Sequence, residues 1–196
     1  MHGFWLCFVP LFVAVDAVGV LPMFMNLTED LDRARVRHVI WQSLVTAMVV
    51  AFLFLLIGQV VFRLLGITMA DFMIAGGVLL FLISVADIVA VEKKATPLDP
   101  ESLGAVPVGV PLIVGPAVLT TVILLVDAHG LPVTMAATAV NVLIAGVVFW
   151  FAAPIHRVLG KGGAKTVSKL ASLLLASIAV MLVRRALVAL LSSAPA

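Results

Sequence analysis

Of 196 residues, 64% are hydrophobic and only 11% charged, and the mean hydropathy is +1.29. A soluble domain carries roughly 25% charged and about 45–50% apolar residues. The solvent for this chain is therefore a bilayer, which excludes a cytosolic enzyme, a disulfide scaffold and a nucleic-acid-binding domain. The net charge of +2 does not point to nucleic acid, because the basic residues sit between apolar runs, as in membrane loops. A single cysteine, Cys7, forbids an intrachain disulfide.

A helix needs about 20 mostly apolar residues to cross about 30 Å of hydrocarbon. The first candidate span covers residues 3–25 with one charge, Asp16. It lacks a basic leading region and is expected to remain a membrane element rather than a cleaved signal. The connector at 26–37 runs from acids to bases and suits a short interfacial helix or a solvated linker. Charge-free residues 39–62 form the second span, and 72–91 the third, with Asp87 near its end. The fourth lies within 102–126 and the fifth within 130–155. For the sixth, residues 170–183 are too short alone. It extends either back to 164, letting Lys169 snorkel, or forward past Arg184 and Arg185. Nine of the 12 basic residues follow spans one, three and five. Basic loops stay cytoplasmic, so both termini are expected outside.

The two halves resemble each other. Leu65-Gly66 matches Leu159-Gly160, and GGVLLFLISV from Gly76 matches ASLLLASIAV from Ala171. Three spans per half give opposite topologies, the inverted-repeat logic of secondary transporters. The expected organisation is a first repeat at 1–91, a cytoplasmic connector at 92–104 and a second, inverted repeat at 105–196. The elements richest in helix breakers hold equivalent places. The first span carries Pro10, Asp16, Gly19 and Pro22, and the fourth carries Pro107, Gly109, Pro111, Gly115 and Pro116. Broken helices in matching positions point to a substrate site near the midplane, because freed backbone groups in hydrocarbon must be satisfied by protein or by a wet cavity.

Asp16 is the sharpest single feature. An aspartate at a helix centre costs about 2.5–3.5 kcal/mol on the insertion scale, and such residues mark ion, proton or substrate paths. It can bind a substrate ammonium, coordinate sodium or take up a proton, or simply cap the helix that follows it. Pro116 suits a helix start, which aims the amides of Ala117 and Val118 at a carboxylate. Thr120 and Thr121 either add hydroxyl donors or bond back to their own helix. Asn141 reads as interhelical glue, and Gly76 and Gly77 as close helix contacts. His2, His38, His129 and His156 form no metal-ligand spacing, and hydrolase, metalloprotease and P-loop patterns are absent. The chain is not expected to be an enzyme. No cofactor is expected beyond a coupling proton or sodium ion.

The stretches FVAVDAVGVLPMF (12–24), IAGGVLLFL (74–82) and VPVGVPLIVGPAVLTTVI (106–123) resemble the MarC family of bacterial integral membrane proteins. That family includes the small neutral amino acid transporter SnatA and is related to the LysE-type exporters. Its usual forms are close to DPxGxxP and GPGxxTT. Here Asp16-Ala17 stands for Asp-Pro, and Gly115-Pro116-Ala117 for Gly-Pro-Gly. The resemblance implies a six-helix, all-α inner-membrane transporter of small neutral amino acids or similar zwitterions. Its substrate site would comprise Asp16, Gly19, Pro22, Gly115, Pro116, Ala117, Thr120 and Thr121. Rivals on the same scaffold are a cation, metal-ion or drug exporter and a non-transporting membrane scaffold. Small-residue faces leave a homo-oligomer open.

Overall fold

The computed structural model describes residues 2–29, 31–89 and 103–193. The expected connector at 92–104, with Glu92, Lys93 and Lys94, therefore lies almost wholly outside the described residues, as does the Asp87 side chain. Every described element is helical: α1 His2–Val15, α2 Ala17–Leu27, α3 Arg33–Leu65, α4 Met69–Val89, a double-proline segment Gly104–Ile113, α5 Pro116–His129, α6 Leu131–Trp150 and α7 Ala152–Ser193.

Local chemistry sets the boundaries. Asp32 caps α3 by accepting from the Arg35 amide at 2.8 Å, and Gly66 ends it in the left-handed region at φ 66°. The 26–37 connector is thus not a separate interfacial helix: Arg33, Arg35 and Arg37 form the first turns of α3. Thr68 and Asp71 cap α4 reciprocally, the Thr68 amide donating to Asp71 Oδ2 at 2.8 Å and the Asp71 amide to Thr68 Oγ1 at 3.1 Å.

Five stretches among the described residues are long and apolar enough to cross a bilayer: Gly3–Leu27, Arg33–Leu65, Met69–Ala86, Leu131–Trp150 and Ser172–Ser192. The segment Gly104–Ile113 and α5, bent by 55°, make a sixth if counted together. By length and composition the last stretch follows the forward extension of the sixth span. It runs past Arg184 and Arg185, which are exposed on the outside of the bundle and can reach the interface through their long stems. Instead of a basic loop at 157–169, α7 runs unbroken for 42 residues, about 63 Å at 1.5 Å per residue.

The packing inverts the habit of soluble proteins. Trp5, Val13, Trp41, Leu64, Leu82 and Leu191 are exposed, and small residues such as Ala47, Ala51, Ala137, Ala145 and Ala179 are buried. Lipid is as apolar as leucine, so close backbone approach drives the association of the helices. Helix α4 lies along α7, α2 also rests on α7, α1 on α5 and α6, and α3 on the double-proline segment, α5 and α6. A Cβ on Gly77 would stand 2.9 Å from the Ala179 carbonyl oxygen of α7, and a Cβ on Gly76 would fall inside the Pro116 ring of α5. Both glycines are the close contacts expected of them.

Candidate functional site: two crossed helix breaks

The first break is a single residue. Asp16 adopts the left-handed conformation, φ 42° and ψ 50°, while backbone bonds run through it from Asp16 N to Phe12 O and from Val20 N to Asp16 O. Aspartate tolerates this region better than most residues because its short polar side chain bonds locally. Here Oδ1 accepts from the Gly19 amide at 3.2 Å, so Asp16 is the N-cap of α2. A Cβ on Gly19 would collide with that carboxylate. Asp16 and Gly19 are both half-buried.

Pro22 does not shape this break. It sits buried inside α2, six residues past Asp16, where it removes the amide that would reach Val18. Pro10 is likewise inside α1.

The second break is longer. Val106 and Val110 are extended because each precedes a proline, and the proline ring disfavours the α region for its predecessor. Both Val-Pro bonds are cis. Between the extended residues the chain makes wide turns closed by Val108 N to Leu103 O at 3.4 Å and Val114 N to Gly109 O at 3.1 Å. Gly115 is extended and caps α5 without a side chain. Pro116 opens α5, whose ladder begins at Leu119 N to Gly115 O, 3.0 Å. The Ala117 and Val118 amides precede that ladder, at the positive end of the helix. Gly115 and Pro116 are buried and Ala117 is half-buried.

The α2 start is therefore occupied by its own carboxylate, and the α5 start carries no anionic cap. The packing crosses the two elements: α1 rests on α5, and α2 on the double-proline segment. Each half of one broken element meets the opposite half of the other.

The threonines do not supply donors. Thr120 Oγ1 donates to the Ala117 carbonyl at 3.0 Å and Thr121 Oγ1 to the same oxygen at 2.6 Å. Each hydroxyl has one proton, so only lone pairs remain for a guest. Thr120→Val and Thr121→Val are expected to change stability by no more than about 0.5 kcal/mol, since back-bonding contributes little to a helix. Thermal unfolding in detergent checks this. Asn141, buried on α6, donates Nδ2–H to the Phe8 carbonyl of α1 at 3.2 Å and to the Ala137 carbonyl at 2.9 Å, joining two helices as expected.

A cavity of about 480 Å³ lies elsewhere, at the end of the bundle where α2 passes into α3 and α6 into α7. Thr28, Glu29, Arg33, Arg37, Phe149 and Trp150 contribute to its wall, and none of the eight predicted site residues does. The Arg37 guanidinium lies over the Trp150 ring, 5.0 Å from its centroid. Sequence reasoning passed over these residues because each reads locally as a charged linker or a span end. A basic cluster facing an aromatic span end was the available signal.

Comparison with known proteins gives a match to the model of the MarC family integral membrane proteins over residues 1–191. A UPF0056 membrane protein of Methanocaldococcus jannaschii is 33% identical over 129 residues, 61% of this chain and 56% of that protein. One from Pyrococcus abyssi is 26% identical over 188 residues, 93% of each chain. The UPF0056 inner membrane protein YhgN of Escherichia coli is 28% identical over 176 residues, 86% of this chain and 88% of that one. No solved structure matches the chain significantly.

Proposed function

Because the chain belongs to the MarC family of integral membrane proteins, we propose that it is a secondary transporter of small neutral amino acids or similar small zwitterions. One observation carries this reading. The two broken elements pack across each other, one carrying a half-buried carboxylate, Asp16, and the other an α5 start with no side-chain cap. A zwitterion matches that pair: its ammonium goes to Asp16 and its carboxylate to the Ala117 and Val118 amides. Gly19 allows the carboxylate its position, and Pro116 orients the amides.

The packing supports the two inverted repeats, 1–91 and 105–196. With α1 equivalent to the double-proline segment, α2 to α5, α3 to α6 and α4 to α7, contacts correspond in pairs. The contact of α1 with α6 mirrors that of the segment with α3, α2 with α6 mirrors α5 with α3, and α2 with α7 mirrors α5 with α4. The pairs α3 with α6 and α4 with α7 map onto themselves. Rocking of one repeat against the other then gives alternating access. The cavity wall draws residues from both the α2–α3 and α6–α7 connections, which supports placing those basic regions on one face. That face is cytoplasmic by the charge rule, with both termini outside, in the inner membrane of a bacterial cell.

This is a carrier rather than a catalyst. A metal-ion exporter would need more ligands near Asp16, and among the described residues no group of three or more His, Cys, Asp or Glu could hold a metal. The test is a flux screen in proteoliposomes, setting glycine, alanine and serine against divalent cations, with and without a proton or sodium gradient. Saturable movement of a small amino acid is expected. Movement of divalent cations alone, or of nothing, contradicts the reading.

A further inference from the structure

The cavity at the basic end has a role that the crossed breaks leave open. Phe149 forms part of its wall and stacks on Phe24 of α2, centroids 4.4 Å apart and planes 3° from parallel. Both rings are fully buried. Phe24 lies eight residues beyond Asp16, about 12 Å along α2, and four residues before Thr28, which lines the cavity. Along α2 the stack thus stands between the cavity and the break, with one ring from each half of the chain. At the other end of the bundle Gln59 of α3 donates Nε2–H to Asp127 Oδ1 of α5 at 2.7 Å.

We infer that this cavity is the vestibule through which a small carboxylate-bearing solute enters from the face of Arg33 and Arg37, and that the Phe24–Phe149 stack is the barrier between it and Asp16. Among the described lining residues two guanidinium groups stand against the carboxylate of Glu29, a positive balance that raises the local concentration of anionic groups. Holding Arg37 against Trp150 keeps one of those charges at the rim. The stack is apolar and non-covalent, so it bars a hydrated solute yet parts when α2 moves against α6. The solute's destination rests on the transporter reading, whereas the vestibule and barrier can be tested without any transport.

The experiment is thiol labelling in a Cys7→Ala background, since Cys7 is the only native cysteine. Thr28→Cys reports on the vestibule and Ala17→Cys on the break. Each is exposed, in oriented membrane vesicles, to a membrane-impermeant thiol reagent from one face at a time. Thr28→Cys should react from the Arg33 face only, and Ala17→Cys should be protected from that face. Adding Phe149→Ala or Phe149→Leu should raise Ala17→Cys labelling at least about tenfold, equivalent to about 1.4 kcal/mol less cost of opening. Alanine should slow the labelling of Thr28→Cys and ethylamine, which lacks a carboxylate, should not. An unreactive Thr28→Cys overturns the vestibule. Equal labelling of Ala17→Cys with and without the Phe149 changes, in variants that stay monodisperse in detergent, overturns the barrier. Equal slowing by ethylamine, or no slowing by alanine, overturns the carboxylate assignment. The expected labelling in a chain that moves no amino acid would uphold the vestibule and barrier and strike the transporter reading instead.

Discussion

Asp16→Asn is expected to abolish transport while the protein accumulates in the membrane at its normal level. Asparagine keeps the shape of the side chain, caps helices as well as aspartate does and is equally at home in the left-handed region. The amide oxygen can still accept from Gly19 N, so the α1–α2 kink survives. What is lost is the negative charge. A charge-assisted hydrogen bond contributes about 1.5–3 kcal/mol, or roughly 10–100-fold in affinity for an ammonium group. Asp16→Ala should behave differently. It forfeits the cap, at about 0.5–2 kcal/mol, and forces alanine to φ 42°, at about 1–2 kcal/mol, so stability falls together with activity. Asp16→Gly relieves the backbone and still lacks the carboxylate. Flux through the three variants, beside their unfolding midpoints, separates charge from architecture. Full flux through Asp16→Asn would remove Asp16 from the mechanism.

Gly76→Val is expected to be the most damaging change outside the crossed breaks. A Cβ at this position would overlap the ring of Pro116, the residue that opens α5 and follows the second break. Pro116 is buried and its backbone angle is set by its own ring. Helix α4 cannot simply retreat, because Gly77 seats it against the Ala179 carbonyl of α7. Overpacking of this kind costs about 1–3 kcal/mol, so a lower unfolding midpoint and loss of flux should appear together, with Gly76→Ala falling between. Val78→Ala, on the lipid-facing side of the same helix, is expected to stay within about 0.5 kcal/mol of the parent. Wild-type stability and flux in Gly76→Val would show that the α4–α5 contact does not hold the second break in place.

What was legible in the sequence follows from the strength of each local signal. Spans two, three and five are long apolar runs, which only helices can carry through lipid. Asp16 stood out because its burial is expensive, and its cap partner Gly19 lies at the spacing a cap requires. Pro116 behaved as its position before an apolar helix suggests. Other features turned on competition that sequence alone does not decide. Thr120 and Thr121 could have turned their hydroxyls outward, but the Ala117 carbonyl lies within reach of both and takes them. Pro22 reads as a breaker, but α2 tolerates it because packed neighbours in a bundle can satisfy a displaced carbonyl. The sixth span was ambiguous because Arg184 and Arg185 interrupt an apolar run, and long cationic side chains on a lipid-facing helix need not end it. The vestibule was invisible because Thr28 and Phe149 lie far apart along the chain and meet only in the fold.

The proposed transporter requires the two crossed breaks to line a wet site that a small zwitterion fills. Hydrogen exchange of the protein in nanodiscs, with and without saturating alanine, tests it most directly. Peptides covering residues 14–20 and 112–119 are expected to exchange readily in the unliganded protein, and alanine should slow both together while the rest of the membrane spans stay protected. Full protection of both peptides from the outset, unchanged by any small amino acid, would mean that the breaks are dry and sealed, and would exclude a substrate site between them.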